Sequence, residues 1–311
     1  MKTTLCPYLQ EKKMNYNIVI IGAGTAGLTA AIYAARAGKK VLILENESIG
    51  GQIATSPKVE NYPGFSEISG MEFSDRLYEQ ASALGVELEL DRAEKITDNG
   101  ESKTVKTEYG EFTCKAVIIA TGVKHRHLGI EAEEKYMGRG VSYCAVCDGA
   151  FYKGKDVAVV GGGNSAVQSA IMLSNICNKV YLIHRRDEFR CEKKLSDEVR
   201  AIENVELVLN STVKDLQGEG KLSTIVTENK SGEIKEINAE GLFVLVGQIP
   251  ENSAFADLIA LDESGYIVAG EDCKTNVEGI FAAGDCRTKA IRQLTTAAAD
   301  GSVSALAASN M

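Results

Sequence analysis

A pair of cysteines, Cys144 and Cys147, is the part of this sequence best suited to chemistry. Two thiols three positions apart can close a small disulfide ring and open it again, and a thiolate at either end is a nucleophile. Asp148 follows directly, close enough to Cys147 to exchange protons with a leaving thiolate as a general acid–base. These three residues are therefore the candidate catalytic group of a thiol–disulfide reaction.

A zinc half-site is the first alternative for this cysteine pair. Zinc takes four ligands, the sequence has one C-x-x-C, and His125 and His127 would have to supply the other two. The second alternative, two inert core cysteines, is disfavoured by the polar Asp148-Gly149 that follows. We expect no metal. Five of the other six cysteines lack an acid or a partner at a useful spacing and are interpreted as small hydrophobic residues: Cys114, Cys177, Cys191, Cys273 and Cys286.

A glycine-rich fingerprint near the start of the chain predicts a dinucleotide site. Its glycines, Gly22, Gly24 and Gly27, follow an apolar strand predicted at 18–21 and open an alanine-rich helix predicted at 28–37. Such glycines let the backbone approach a pyrophosphate at a helix N-terminus. The next predicted strand ends on Glu45, whose carboxylate can accept hydrogen bonds from an adenosine ribose. An ordinary strand–turn–helix is the alternative.

A second fingerprint follows the cysteine pair, with Gly161, Gly163 and Ala166 between a predicted strand and a predicted helix. Its second strand ends not on a carboxylate but on a basic segment: His184, Arg185 and Arg186, with Arg190 one turn further on. Guanidinium groups attract a 2′-phosphate and can bind it bidentately, whereas a carboxylate would repel it. The segment predicts NADPH as coenzyme; a solvated basic loop is the alternative.

Length and composition limit the remaining classes. The 311 residues suffice for about two domains, and 44% hydrophobic with 25% charged residues is typical of a globular protein. A net charge of −9 disfavours nucleic acid as a partner, and no apolar run is long enough for a transmembrane helix. Eight cysteines without a signal peptide point to the reducing cytoplasm. Residues 1–13 are expected to be a disordered extension.

Taken together, these motifs identify the chain as resembling the low-molecular-weight, bacterial-type thioredoxin reductases, of the class II pyridine nucleotide-disulfide oxidoreductases. The resemblance covers residues 16 to 309 and depends on several motifs in the family's order: GAGTAG, GGQIATSPKVENYPGF, IIATGV, YCAVCDG, VVGGGNSA, HRRDEFR, GIFAAGDCR and RQLTTAAADG. It implies a cytoplasmic homodimer whose partner is thioredoxin or a thioredoxin-like small redox protein, with no membrane partner.

The resemblance also implies a role for each site residue. Cys147 would lie against the flavin, Cys144 would attack the disulfide of thioredoxin, and Asp148 would be the acid–base. FAD would be held by Gly22, Gly24, Gly27, Glu45, Gly51, Gln52, Asn61, Asp285, Arg292, Gln293 and Leu294. NADPH would be held by Gly163, Asn164, Ser165, Ala166, His184, Arg185, Arg186 and Arg190.

The repeated fingerprint predicts an α/β fold with two Rossmann-like three-layer domains, one inserted in the other. The FAD-binding domain is expected at 14–123 and 249–311, and the NADPH-binding domain, which carries the C-x-x-C, at 124–248. Electrons would pass as hydride from NADPH to FAD, then to the cysteine pair, and then by thiol–disulfide exchange to the small redox protein.

Other functions remain possible at this point. On the same scaffold, a ferredoxin-dependent thioredoxin reductase is disfavoured by the basic segment, and a dithiol oxidase would pass electrons to oxygen. A nucleotide-binding sensor or zinc module without turnover belongs to a different class. The chain also departs from the family pattern: Gln168 and Ser169 stand where two glutamates are usual, and Gln248 stands where some members have histidine.

Overall fold

The computed structural model describes residues 14–56 and 58–311, so the extension expected at 1–13 lies outside the described residues. The chain forms two compact units. Of the described residues, the first unit contains those up to Lys124 and those from Ile249 onward, and the second contains His125–Gln248. Strands and helices are numbered along the chain.

A parallel sheet forms the centre of the first unit. Its strands are β2 (Ile18–Ile21), β3 (Val41–Glu45), β4 (Glu87–Leu90), β8 (Ala116–Ile119) and β19 (Ile280–Ala282). They lie in the order β19-β8-β2-β3-β4. Ile18 and Ile20 face one apolar core and Val19 and Ile21 face another, which explains the unbroken apolar sequence of β2.

Helices cover one face of this sheet: α1 (Thr25–Arg36), α2 (Gly70–Ala83) and α7 (Leu294–Ser309). Ser69 caps α2, since its hydroxyl accepts a hydrogen bond from the backbone N–H of Glu72 at 3.1 Å. Helices α1 and α7 pack so closely that a Cβ on Gly301 would lie 2.3 Å from the carbonyl oxygen of Ala26. Short 3-10 helices lie at Gly51–Thr55, Ser253–Phe255 and Gly284–Cys286.

A smaller sheet covers the other face, through Ile96, Val105 and Phe112. Its strands are β1 (Met14–Asn15), β5 (Ala93–Asp98), β6 (Lys103–Thr107) and β7 (Glu111–Cys114), in the order β1-β7-β6-β5. The first unit therefore has three layers: helices, parallel sheet and hairpin sheet.

The second unit repeats this plan around another parallel sheet. The strands are β10 (Val141–Ser142), β11 (Asp156–Val160), β12 (Lys179–His184), β13 (Val205–Leu209) and β17 (Gly241–Val244). Their order is β10-β17-β11-β12-β13. An antiparallel sheet packs on one face through Val213, Leu216 and Ile225; it contains β14 (Ser211–Gln217), β15 (Thr224–Asn229) and β16 (Ile234–Asn238).

The helices of the second unit are short. They are α3 (Glu131–Lys135), α4 (Ala145–Asp148), α5 (Asn164–Ser174) and α6 (Lys193–Arg200), and a 3-10 helix follows α4 at Gly149–Tyr152. Buried residues of α5 join the core on the face of the sheet opposite the hairpins. This unit is also three-layered, which confirms the predicted α/β fold with two Rossmann-like domains.

The chain passes between the units through two short strands, β9 (Val123–His125) and β18 (Gln248–Pro250), which pair with each other. Among the helices of the described residues, none is long and apolar enough to cross a membrane.

Candidate redox and nucleotide-binding sites

The two cysteines of the C-x-x-C are joined by a disulfide, with their Cα atoms 5.3 Å apart. Strand β10 ends at Ser142, Cys144 precedes α4, and Cys147 lies within that helix. Cys147 is exposed and Cys144 is half-buried. No group of three or more His, Cys, Asp and Glu side chains in residues 14–56 and 58–311 is placed to hold a metal ion. The predicted pairing of Cys144 with Cys147 is confirmed.

Asp148 lies at the end of the same short helix. Its Oδ2 accepts a hydrogen bond of 2.6 Å from the Ser142 hydroxyl, and its backbone N–H donates to the Cys144 carbonyl at 3.1 Å. Burial raises the pKa of Asp148, and the hydrogen bond from Ser142 opposes that rise. A carboxyl held in this way beside a disulfide is suited to proton transfer.

Tyr143 connects the cysteine segment to a polar group that the sequence patterns do not predict. Its ring stacks on His125 with centroids 5.2 Å apart, and its hydroxyl donates to Glu133 Oε1 at 2.9 Å. His127 Nδ1 lies 2.9 Å from the same hydroxyl. The buried Glu133 carboxylate also accepts from the backbone N–H groups of residues 128 and 129. The two histidines therefore take part in contacts that fix the residue before Cys144.

The first fingerprint has the backbone that the glycines predict. Gly22 has φ +109°, and a Cβ there would lie 2.4 Å from the carbonyl oxygen of Ala120. A Cβ on Gly27 would lie 1.9 Å from the Gly22 carbonyl oxygen, so only glycine fits either position. Glu45 Oε2 accepts from the Ala23 N–H at 2.7 Å. This contact brings the ribose-binding candidate next to the fingerprint.

Other residues expected to hold FAD meet in the same unit. Gln52 donates a hydrogen bond to the Val123 carbonyl, and Asn61 Nδ2 lies 3.4 Å from Gln293 Oε1. The guanidinium of Arg292 donates to the Asp285 carbonyl at 3.3 Å. Gly51 opens a 3-10 helix, and Leu294 opens α7.

Asp285 has an unusual environment. Its Oδ1 is buried with no hydrogen-bond partner, and burial raises the pKa of its carboxyl. A buried acceptor without a donor is costly unless a ligand supplies one. The hydroxyl groups of the flavin's ribityl chain are donors of this kind, so the orphaned oxygen fits a bound FAD.

The second fingerprint is fixed to the basic segment by several contacts. The Arg190 N–H donates to the Gly162 carbonyl at 2.6 Å, and the Glu192 N–H donates to Asn164 Oδ1 at 2.8 Å. A Cβ on Gly162 would lie 2.1 Å from His184 Cε1, so the histidine ring packs directly on the fingerprint. Gly163 precedes helix α5 there, and Asn164, Ser165 and Ala166 are its first residues.

The four basic residues of that segment differ in accessibility. Arg185, Arg186 and Arg190 are exposed, whereas His184 is 6% exposed. The Nε2 atom of His184 lies 3.1 Å from the Glu188 carbonyl. His184 thus supports the loop from within, and the three arginines are free to meet a phosphate.

Sequence reasoning missed Ser142, Tyr143, Glu133 and Glu192. Each acts through contacts with residues at irregular spacing, six positions for Ser142 with Asp148 and 28 for Glu192 with Asn164. Neither pair lies within a single helix or strand, so no periodic sequence pattern marks these residues.

Comparison with known proteins agrees with this geometry. The family model for pyridine nucleotide-disulphide oxidoreductases matches residues 16–301. The chain is 46% identical over 301 residues to the "34.2 kDa protein in rubredoxin operon" of Clostridium pasteurianum, covering 96% of this chain and 97% of that protein. It is 42% identical over 299 residues to the thioredoxin reductase of Bacillus subtilis, covering 96% and 94%.

The fold agrees as well. The crystal structure of thioredoxin reductase from Streptococcus pyogenes matches with a TM-score of 0.91 at 43% identity, covering 94% of this chain and 97% of that one. The chain therefore belongs to the pyridine nucleotide-disulphide oxidoreductase family and, within it, to the low-molecular-weight thioredoxin reductases.

Proposed function

We propose that the protein is an NADPH-dependent thioredoxin-disulfide reductase, in which electrons pass from NADPH through FAD to the Cys144–Cys147 disulfide and on to thioredoxin. The observation that carries this function is the disulfide itself, in a chain that also holds two nucleotide fingerprints. The family relationship supports the same conclusion.

The first unit is proposed to bind FAD and the second to bind NADPH. The fingerprint at 22–27, Glu45 and the unpartnered oxygen of Asp285 support the FAD site. When bound, FAD supplies two-electron chemistry, because it accepts a hydride and gives up an electron pair. The chain's own residues would bind and orient it: the glycines would admit the pyrophosphate, Glu45 would accept from the ribose, and Asp285 would accept from the ribityl chain.

The cysteine pair performs the exchange with thioredoxin. Once reduced, Cys144 as thiolate attacks the partner disulfide and forms a mixed disulfide, and one thioredoxin sulfur leaves as a thiolate. Cys147 then attacks Cys144, which restores the ring and releases the second thioredoxin sulfur. Asp148 is proposed to move the protons that these thiols gain and lose.

Anaerobic titration of the purified protein tests this function directly. NADPH should bleach the yellow flavin spectrum, and thioredoxin from a panel of disulfide acceptors should restore it. A flavin that NADPH leaves oxidised but reduced ferredoxin bleaches would favour the ferredoxin-dependent alternative. Oxygen is then admitted to the reduced protein: rapid reoxidation by oxygen, with none by any disulfide acceptor, would favour the dithiol oxidase, and absence of flavin would favour the sensor.

We also propose that the protein works as a homodimer in the cytoplasm. Exposed apolar side chains of the first unit, among them Met71, Leu90 and Leu306, support an interface between copies. Sedimentation equilibrium checks the assembly, and a monomer at micromolar concentration would refute it.

A further inference from the structure

We propose that Ser142 is a positioning residue for the thiol chemistry, whose hydroxyl connects the carboxylate of Asp148 to the backbone of Cys144. The inference deepens the proposed function and rests on it. Ser142 is the last residue of β10 and is 6% exposed, so its hydroxyl has protein partners in place of solvent.

The Ser142 hydroxyl makes a hydrogen bond to each of these two residues, as the acceptor for Cys144 and as the donor to Asp148. Its Oγ accepts from the Cys144 N–H at 3.1 Å and donates to Asp148 Oδ2 at 2.6 Å. A hydroxyl has one proton to donate, and the other acceptor in reach, the Cys144 carbonyl, is farther away at 3.4 Å. The proton therefore goes to the carboxylate, because hydrogen bonds to charged acceptors are shorter and stronger.

Backbone contacts hold this arrangement in place. The Asp148 N–H donates to the Cys144 carbonyl at 3.1 Å, and the Cys147 N–H donates to Cys144 Sγ at 3.1 Å. Cys144, Ser142 and Asp148 are thus linked by a closed loop of hydrogen bonds that includes the backbone of one disulfide cysteine. Loss of the Ser142 hydroxyl would leave both the Cys144 N–H and one carboxylate oxygen without this partner.

While the disulfide is closed, the ionisable neighbour of Asp148 among the described residues is a tyrosine, and reduction adds the titrating thiols of Cys144 and Cys147. Tyr152 is the ionisable neighbour, and burial together with the charges of Asp148 and Glu240 raises its pKa to about 12, so it stays neutral. Helix α5 contributes apolar contacts at the adjoining Gly149, from Leu173 and Met172. The Ser142 hydroxyl is therefore the group that favours the ionised form of Asp148 against its burial.

This position matters because the disulfide reaction needs a proton. Two electrons and one proton convert the Cys144–Cys147 disulfide into one thiol and one thiolate. NADPH supplies the electrons in the proposed function, and the Asp148 carboxyl supplies the proton to the Cys144 sulfur. Ser142 thus sets the pH at which that carboxyl can give up and regain its proton.

The test is the pH profile of kcat/KM for thioredoxin reduction by the holoenzyme. Asp148→Asn first identifies the inflection that belongs to Asp148 by removing it. In Ser142→Ala that inflection should move to higher pH by about one unit, because a hydrogen bond to the charged form is lost. Ser142→Thr, which keeps a hydroxyl, should retain the wild-type inflection. Ser174→Ala is the matched control, since its hydroxyl donates only to the Ile171 carbonyl in the same unit.

A purely structural role for Ser142 would lower the rate at every pH and leave the inflection unmoved, which would overturn the inference. So would an inflection that survives in Asp148→Asn. If Ser142→Ala does not fold, Ser142→Val replaces it, because valine matches threonine in shape but lacks the hydroxyl. A wild-type enzyme that cannot reduce thioredoxin with NADPH would instead refute the proposed function.

Discussion

The reactivity of Cys144 and Cys147 contrasts with that of the other cysteines, and burial explains the difference. Burial raises the pKa of Cys114 and Cys273 to about 12, and that of Cys177 and Cys286 to about 11. Thiols with such pKa values stay protonated at neutral pH and react slowly. Among the described cysteines, only those of the C-x-x-C have both a partner thiol and a neighbouring carboxyl, and one of the two, Cys147, is exposed.

The first prediction concerns these two thiols. Cys144→Ser or Cys147→Ser should lower thioredoxin reduction by about a thousandfold or more, because the covalent exchange needs both sulfurs. Flavin reduction by NADPH, followed by stopped-flow absorbance, should keep its wild-type rate. Cys191→Ser, a single thiol in the same unit, is the control and should change neither rate. Wild-type turnover in either active-site variant would contradict the relay.

A second prediction at this scale concerns coenzyme choice. Replacing Arg185 and Arg186 by alanine should raise KM for NADPH about tenfold or more, since each charge-assisted contact to a 2′-phosphate contributes about 1.5–3 kcal/mol. KM for NADH should barely move. Steady-state kinetics with both coenzymes measures this.

The matched control replaces the exposed Lys193 and Lys194 of α6 by alanine, which also removes two positive charges. An equal rise in KM for NADPH and for NADH in the arginine variant would show that Arg185 and Arg186 support the fold and do not recognise the 2′-phosphate.

At the scale of elements, the parallel strands were the most predictable part of the fold. β2 matches its predicted span of 18–21, because its side chains are buried on both faces and leave an unbroken apolar run. Helix α1 begins at Thr25, three residues before the predicted start, because Gly27 of the fingerprint lies within its first turn. Helix α2 and strands β5 to β7 were not predictable, because buried positions such as Ser74, Lys103 and Thr107 carry polar side chains and leave no apolar period in the sequence.

The connection between α7 and the Gly284–Cys286 turn was also not predictable. Asp300 Oδ2 accepts from the Gly284 N–H at 2.9 Å, from Arg287 Nε at 2.8 Å and from Lys289 Nζ at 2.8 Å. These contacts join residues 11 to 16 positions apart. They fix both ends of the segment that presents Asp285, which places α7 in support of the proposed FAD site.

The third prediction tests this buried group. Asp300→Asn should lower the free energy of unfolding by about 3–5 kcal/mol, because Arg287 would keep its charge without a buried partner. Burial alone raises the pKa of Asp300, but hydrogen bonds from Arg287 and Lys289 lower it overall. A carboxyl whose pKa is lower in the folded state than in the unfolded state stabilises the protein at a pH above its unfolded-state pKa. This stabilisation is lost as the pH falls through the folded-state pKa.

Urea titrations near neutral pH and below about pH 4 measure both effects. The difference in the free energy of unfolding between wild type and Asp300→Asn should be smaller at the acid pH. Glu271→Gln is the control: its carboxylate lies 3.3 Å from the same Arg287 but is 94% exposed, so the loss should stay within about 1 kcal/mol. A difference that persists unchanged in acid would refute the charge explanation.

At the scale of the whole molecule, the order of motifs along the chain separates the reacting groups. The cysteine pair and the fingerprint at 161–166 belong to His125–Gln248, and the residues proposed to hold FAD belong to the other unit. In the proposed function, Cys147 would have to meet the flavin to be reduced, Cys144 would have to reach the disulfide of another protein, and the nicotinamide would have to stack on the flavin. The dithiol and the nicotinamide would compete for the same place.

The last prediction follows from this competition: the inserted unit should adopt two positions, related by a rigid rotation about hinges near 122–124 and 247–250. An engineered disulfide between the units, placed to hold the cysteine pair at the flavin, should stall flavin reduction by NADPH. Dithiothreitol should still reduce the flavin through Cys144 and Cys147, because that route needs no rotation. The same variant before cross-linking is the control and should accept electrons from NADPH at the wild-type rate. Fast reduction by NADPH in the cross-linked protein would show that a single arrangement serves both reactions.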